Sequence, residues 1–151
     1  PRKPACQACP WSKWCVAHRH DREEDFPVKA PKTAKPHRHA IGFAVFRGES
    51  IWLRKRPAKG LLGGMLEVPS TEWRTSPWTP EAAKAEAPLD AAWQDKASIG
   101  HVFTHFSLEM AMWRAEAPSG WQPETGGFHC VSEIGELALP SVMKKAVLAS
   151  L

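Results

Sequence analysis

At 151 residues, 43% hydrophobic and 24% charged, the chain is long enough for one ordinary globular domain with a sizeable core. No apolar run approaches the roughly 18 residues a membrane-spanning helix needs, and the chain shows no secretory signal pattern. The formal charge of +4 is unevenly spread, because residues 1–39 carry nine Lys/Arg against four Asp/Glu while the remainder carries eleven against twelve. A basic segment beside a near-neutral globule points to an arm that touches a polyanion, or to a solvated linker. The chain opens without an initiating Met, at Pro1-Arg2-Lys3-Pro4, and reads as the carboxy-terminal piece of a longer protein.

Residues 1–20 hold Cys6, Cys9 and Cys15 in the spacing C-x2-C-x5-C. Three thiols this close suit a metal or an iron–sulfur cluster better than a core. Disulfides would leave one over. His18 or His20 would complete a zinc site of the Cys3His type; otherwise a fourth cysteine lies upstream of Pro1. Residues 21–38, with Pro27, Pro31 and Pro36 and little apolar content, read as an extended linker.

From residue 39 the pattern becomes regular. His39–Phe46 alternates, with Ile41, Phe43 and Val45 on one face, and reads as a strand. Arg47-Gly48-Glu49 is a turn into a second strand, Ser50–Arg56. Met65–Val68 is a short strand stopped by Pro69. Thr79-Pro80-Glu81 opens a helix to about Ala87, with Thr79 as N-cap and Pro80 at the first helical position. Lys96–Phe103 and Phe106–Ala115 read as paired strands joined at Phe103-Thr104-His105. Phe128–Val131 is a strand with Cys130 as a buried core thiol. Ser132 caps a short helix over Glu133–Leu137, and Pro140 starts a last helix to about Leu148. This order predicts an α+β fold around a mixed or antiparallel sheet.

The stretch Arg54–Trp73 combines three consecutive basic residues with Gly60, Gly63 and Gly64. It admits two readings: a phosphate cradle of backbone N–H groups, or a tight glycine-lined crossing that positions strands.

The ordered set of motifs resembles the carboxy-terminal region of the MutY family of adenine DNA glycosylases. It comprises C-x2-C-x5-C with a Pro-rich connector, paired strands with K-R-P, G-L-L-G-G-M-L-E-V-P, then H-V-F-T-H-F at His101–Phe106, and E-L-A-L-P before a terminal helix. The resemblance covers essentially the whole chain. It implies a Nudix/MutT-like mixed β-sheet with flanking helices over residues 39–151, behind a truncated 4Fe–4S cluster loop at 1–20 and an interdomain linker at 21–38. It implies that Cys6, Cys9 and Cys15 are cluster ligands two to four, and that Arg2 and Lys3 lie in a loop touching DNA phosphates. It further implies that Phe103, Thr104 and His105 approach 8-oxoguanine opposite adenine, Thr104 keeping the hydroxyl that a Ser supplies in the family. No catalytic residue falls in this chain, since base excision belongs to a preceding helical domain that carries the catalytic Glu and Asp.

A Nudix pyrophosphatase needs a helix of the form R-E-U-x-E-E-x-G, because Mg²⁺ on a triphosphate requires clustered carboxylates. The corresponding segment, Glu81–Pro88, offers only two separated acids. The expectation is therefore a monomeric, DNA-associated bacterial cytoplasmic recognition module for double-stranded DNA bearing 8-oxoguanine:adenine mispairs. Its alternatives are a Nudix-type nucleotide pyrophosphatase and a zinc-binding adaptor.

Overall fold

The computed structural model describes residues 3–28 and 33–151. The chain divides into two compact units, Pro1–Ala34 and Lys35–Leu151. In the first, short 3-10 turns at Cys6–Ala8, Ser12–Trp14 and Glu23–Asp25 alternate with a one-turn helix, α1 (Val16–Arg19). None of these elements buries a residue. The segment lacks the apolar content to build a core, and short polar links tie it instead, His18 to Glu23 at 2.5 Å and Arg22 to Asp25 at 2.7 Å.

The second unit is built on β1 (His37–Arg47), the strand with the longest unbroken burial. Gly48, at φ +57°, closes a hairpin from β1 to β2 (Ser50–Lys55). Strand β2 also pairs antiparallel with β6 (Gly127–Cys130) along Ser50–Leu53 and with β3 (Leu66–Glu67) at Arg54 and Lys55. On its other side β1 runs parallel to β5 (Ser107–Glu116), which pairs antiparallel with β4 (Gln94–Val102). The result is a mixed six-stranded sheet with few helices, an α+β fold as expected.

Side-chain size explains how β1 and β5 meet. Ala40, Gly42 and Ala44 on β1 stand beside Met110, Met112 and Arg114 on β5. A Cβ on Gly42 would lie 2.7 Å from the Met112 side chain, so the small residues make room for the methionines. Helix α3 (Ser141–Ala149) covers this face with Val142, Met143, Ala146 and Val147, all fully buried. On the opposite face Phe43 packs against Trp93 and Trp113. Helix α2 (Pro80–Ala85) begins as its sequence signal predicts, with the Thr79 hydroxyl accepting from the Ala82 N–H.

The structure departs from the sequence reading in three places. The first strand starts at His37, not His39, because Pro36 O accepts from Ser107 N–H and β5 supplies partners for the two extra residues. The expected helix over Glu133–Leu137 is a 3-10 turn, Val131–Glu133, followed by irregular turns. Cys130 is half-buried, not a core thiol; its sulfur lies 3.1 Å from the Ser132 hydroxyl.

Candidate nucleic-acid interface

The β4–β5 connection is a tight loop. Phe103 N–H donates to Phe106 O at 2.8 Å, which leaves Thr104 and His105 as its exposed tip. Phe103 points inward, stacked on Phe106 at 4.6 Å and against Trp73 at 5.7 Å. The start of β1 braces this loop: Lys35 Nζ donates to Phe103 O at 2.8 Å, and Ser107 N–H donates to Pro36 O. His101 lies edge-on to Phe103. Burial, reinforced by the nearby Lys145 charge, lowers the His101 pKa below the usual imidazole range and favours its neutral form.

Trp73 and Arg38 join the base of this loop to a neighbouring cleft of about 350 Å³, lined by Arg38, Arg54, Arg56, Leu61, Glu67 and Trp73 among others. The Arg38 guanidinium lies over the Phe106 ring at 4.4 Å and the Arg56 guanidinium over Trp73 at 5.3 Å. Strand alternation sends Arg54 and Arg56 to one face and leaves Lys55 exposed. Both arginines converge on Glu67, which is only 4% exposed: Arg54 Nε donates to Oε1 at 2.9 Å and Arg56 donates to Oε2. A carboxylate held by two guanidiniums has few lone pairs left for a metal ion or a substrate proton. The cleft thus presents cationic and aromatic surface with its one deep acid neutralised, an arrangement suited to phosphate and base contacts.

The glycine-rich stretch is a self-contained loop. Gly64 N–H donates to Pro57 O, Gly63 N–H to Gly60 O, and Arg56 N–H to Met65 O. A Cβ on Gly63 would sit 2.4 Å from Ala58 O, so this position requires glycine. These amide N–H groups are spent inside the loop, and the strand-positioning reading of the stretch holds over the phosphate cradle.

In the first unit, Cys6, His18 and Glu23 bring their ligand atoms within 4.8 Å of one another. Cys9 and Cys15 are not part of that group. Partial burial and then the Glu23 carboxylate push the Cys6 thiol above its usual range. The hydrogen bond from His18 holds the Glu23 carboxyl below its usual range. A 4Fe–4S cluster requires four thiolates, of which Cys6, Cys9 and Cys15 would supply three. Trp11 and Trp14 are 70% and 68% exposed and meet edge-to-face. Lys3 is exposed, whereas Arg2 lies outside the described residues.

Among the described residues, a second group with metal-ligand geometry is His37, His39 and Glu109; Glu67, Glu81 and Glu86 belong to none. The structure therefore joins Phe103 to an arginine cleft, exposes Thr104 and His105 beside it, and groups Cys6 with His18 and Glu23. The sequence reading missed Arg38, because residues 37–38 look like linker. The alternation of His37, Arg38 and His39 continues the pattern of the following strand and was the available signal.

A NUDIX domain family model matches residues 41–149. Among solved structures, the chain resembles the carboxy-terminal domain of mouse MUTYH, determined in complex with human PCNA, with a TM-score of 0.56 and 21% identity over 76% of this chain and 91% of that one. It also resembles the MutT NUDIX hydrolase of Burkholderia pseudomallei, with a TM-score of 0.60 and 17% identity over 76% of this chain and 98% of that one. The MutT protein of Methanosarcina mazei Go1 gives 0.60 and 12% over 76% and 93%. At these identities the likeness is one of fold, and with the sheet topology and the extent of the family match it establishes that this chain belongs to the NUDIX domain family.

Proposed function

We propose that this chain is the recognition part of a MutY-like adenine DNA glycosylase, reading 8-oxoguanine opposite adenine in double-stranded DNA while another domain excises the base. The observation that carries this reading is the exposed Thr104–His105 tip, whose aromatic base walls a cleft lined by three arginines. Phe103 supports the tip, the Thr104 hydroxyl and the His105 ring reach the lesion strand, and Arg38 and Arg54 meet backbone phosphate. Lys3 and Arg2 are proposed as further phosphate contacts, and Cys6, Cys9 and Cys15 as ligands of a 4Fe–4S cluster whose fourth thiolate lies outside these residues. No helix among the described residues is long and apolar enough to cross a membrane.

Nucleotide hydrolysis is less well served by the geometry, since Glu67 is bound by two arginines and Glu81 and Glu86 stand outside any ligand group. Fluorescence anisotropy on labelled duplexes tests the proposal. The chain is expected to bind 8-oxoguanine:adenine DNA more tightly than guanine:adenine DNA. Arg38→Gln should weaken both equally and reduce the salt slope by about one. Equal affinity of the unsubstituted chain for the two duplexes, or Mg²⁺-dependent release of pyrophosphate from 8-oxo-dGTP, would overturn the reading.

A further inference from the structure

We propose that His37, His39 and Glu109 form a binding site for one divalent first-row transition-metal ion of the zinc class, on the face of β1 opposite the arginine cleft. The site follows from strand geometry. His37 and His39 are two residues apart on β1 and so share a face, while Arg38 between them turns to the cleft. The parallel register sets Ser107 beside His37 and Glu109 beside His39.

The donor atoms are already near metal-ligand spacing. In a tetrahedral zinc site with bonds of about 2.0–2.1 Å, ligand atoms stand about 3.3 Å apart. Glu109 Oε2 lies 3.3 Å from His37 Nε2 and 3.6 Å from His39 Nδ1, and all three donors fall within 4.8 Å of one another. The second nitrogen of His37 is engaged as well, with Nδ1 2.8 Å from the Ser107 hydroxyl. That contact orients the ring and leaves Nε2 for the metal, the role outer partners play at histidine metal sites. Two imidazoles and one carboxylate suit zinc, nickel, copper or ferrous iron and are a poor set for magnesium or calcium.

Neighbouring cations are directed elsewhere. Lys35 is bonded to Phe103 O, Arg38 lies over Phe106, and the Arg74 guanidinium lies over Trp78 at 3.6 Å. The two histidines and Glu109 are half-exposed to exposed, which leaves a coordination position open to water. Because Ser107 directly follows the Phe103–Phe106 loop and Lys35 and Pro36 brace it, a metal joining β1 to β5 here stiffens the base of the Thr104–His105 tip.

The test is a zinc titration of the full chain against a chromophoric chelator, in a Cys6→Ser, Cys9→Ser, Cys15→Ser, Cys130→Ser background that removes thiolate binding. One equivalent of zinc is expected. His39→Ala and Glu109→Gln should abolish that equivalent, and Ser107→Ala should weaken it about 10-fold or more by freeing the His37 ring. Glu109→Gln is nearly isosteric and exposed, so its melting temperature without zinc should match the parent and exclude misfolding. Failure to bind zinc, or zinc binding that survives both His39→Ala and Glu109→Gln, would overturn the site. The outcome is independent of whether the chain reads DNA.

Discussion

The most decisive substitution is Glu67→Gln, because it separates an anchoring role for this carboxylate from a chemical one. Removing one partner of a buried ion pair costs about 3–5 kcal/mol when the remaining charge stays dry. Glu67 is buried, but the Arg54 and Arg56 side chains are 39% and 21% exposed. Water reaches the orphaned guanidiniums and Gln keeps one acceptor, which reduces the expected loss to about 2 kcal/mol. For a domain of this size that lowers the melting temperature by about 8 °C. Thermal unfolding followed by circular dichroism measures it directly, and the deficit should persist in about 0.5 M salt, since a buried carboxylate is screened little. The same substitution removes a negative charge from the arginine cleft, so DNA affinity should stay level or rise while stability falls. A Glu67→Gln protein that melts like the parent yet has lost DNA binding would refute the reasoning. So would a Mg²⁺-dependent hydrolysis abolished by it.

Three further expectations follow from local geometry. Thr104→Ala and His105→Ala alter an exposed tip, so each should leave stability within about 0.5 kcal/mol; on the proposed reading Thr104→Ala also removes a hydroxyl contact to the lesion worth about 1 kcal/mol, which should reduce the preference for 8-oxoguanine:adenine over guanine:adenine duplexes about fivefold in a binding assay. Gly126→Ala places a Cβ 2.1 Å from Leu53 O at φ +80° and should cost about 3 kcal/mol or more in urea unfolding, whereas Gly120→Ala, at φ +78° in open space, should cost only about 1 kcal/mol. For His101 the folded pKa lies below the unfolded one, so between the two the unfolded chain binds more protons; its contribution to stability is therefore level above about pH 6.5 and is lost as pH falls from there through the folded pKa, and His101→Gln should flatten this part of a stability–pH profile.

The strands and the last helix were readable because their signals are local. Alternation over residues 39–46 and 106–115 and the Thr79-Pro80 and Pro140 starts each depend on a few neighbouring side chains. The parallel pairing of β1 with β5 was not readable, since it joins residues about seventy positions apart, and the start of β1 inherits that difficulty: His37 and Arg38 become strand only because β5 offers them partners. Cys130 misled for a related reason. It sits at the end of an apolar run, but β6 stops there and its sulfur turns to Ser132. The Phe103–His105 tip was located from its motif, while the arginine cleft beside it depends on side chains from β1, β2 and the segment after β3 that no single stretch of sequence places together.

The first residues of β1 explain why several features gather at this end of the sheet. Over five positions the chain alternates its duties: Lys35 and Pro36 brace the Phe103–Phe106 loop, His37 and His39 face Glu109, and Arg38 turns to the cleft over Phe106. A one-residue slip of β1 against β5 would exchange those faces, placing a guanidinium beside Glu109 and an imidazole over Phe106. Register is held downstream, where Ala40, Gly42 and Ala44 leave the space that Met110 and Met112 fill. A bulky residue at Gly42 would thus act well beyond its own contacts: by forcing Met112 aside it would loosen the register that sets the three arginines and the loop base in one cleft.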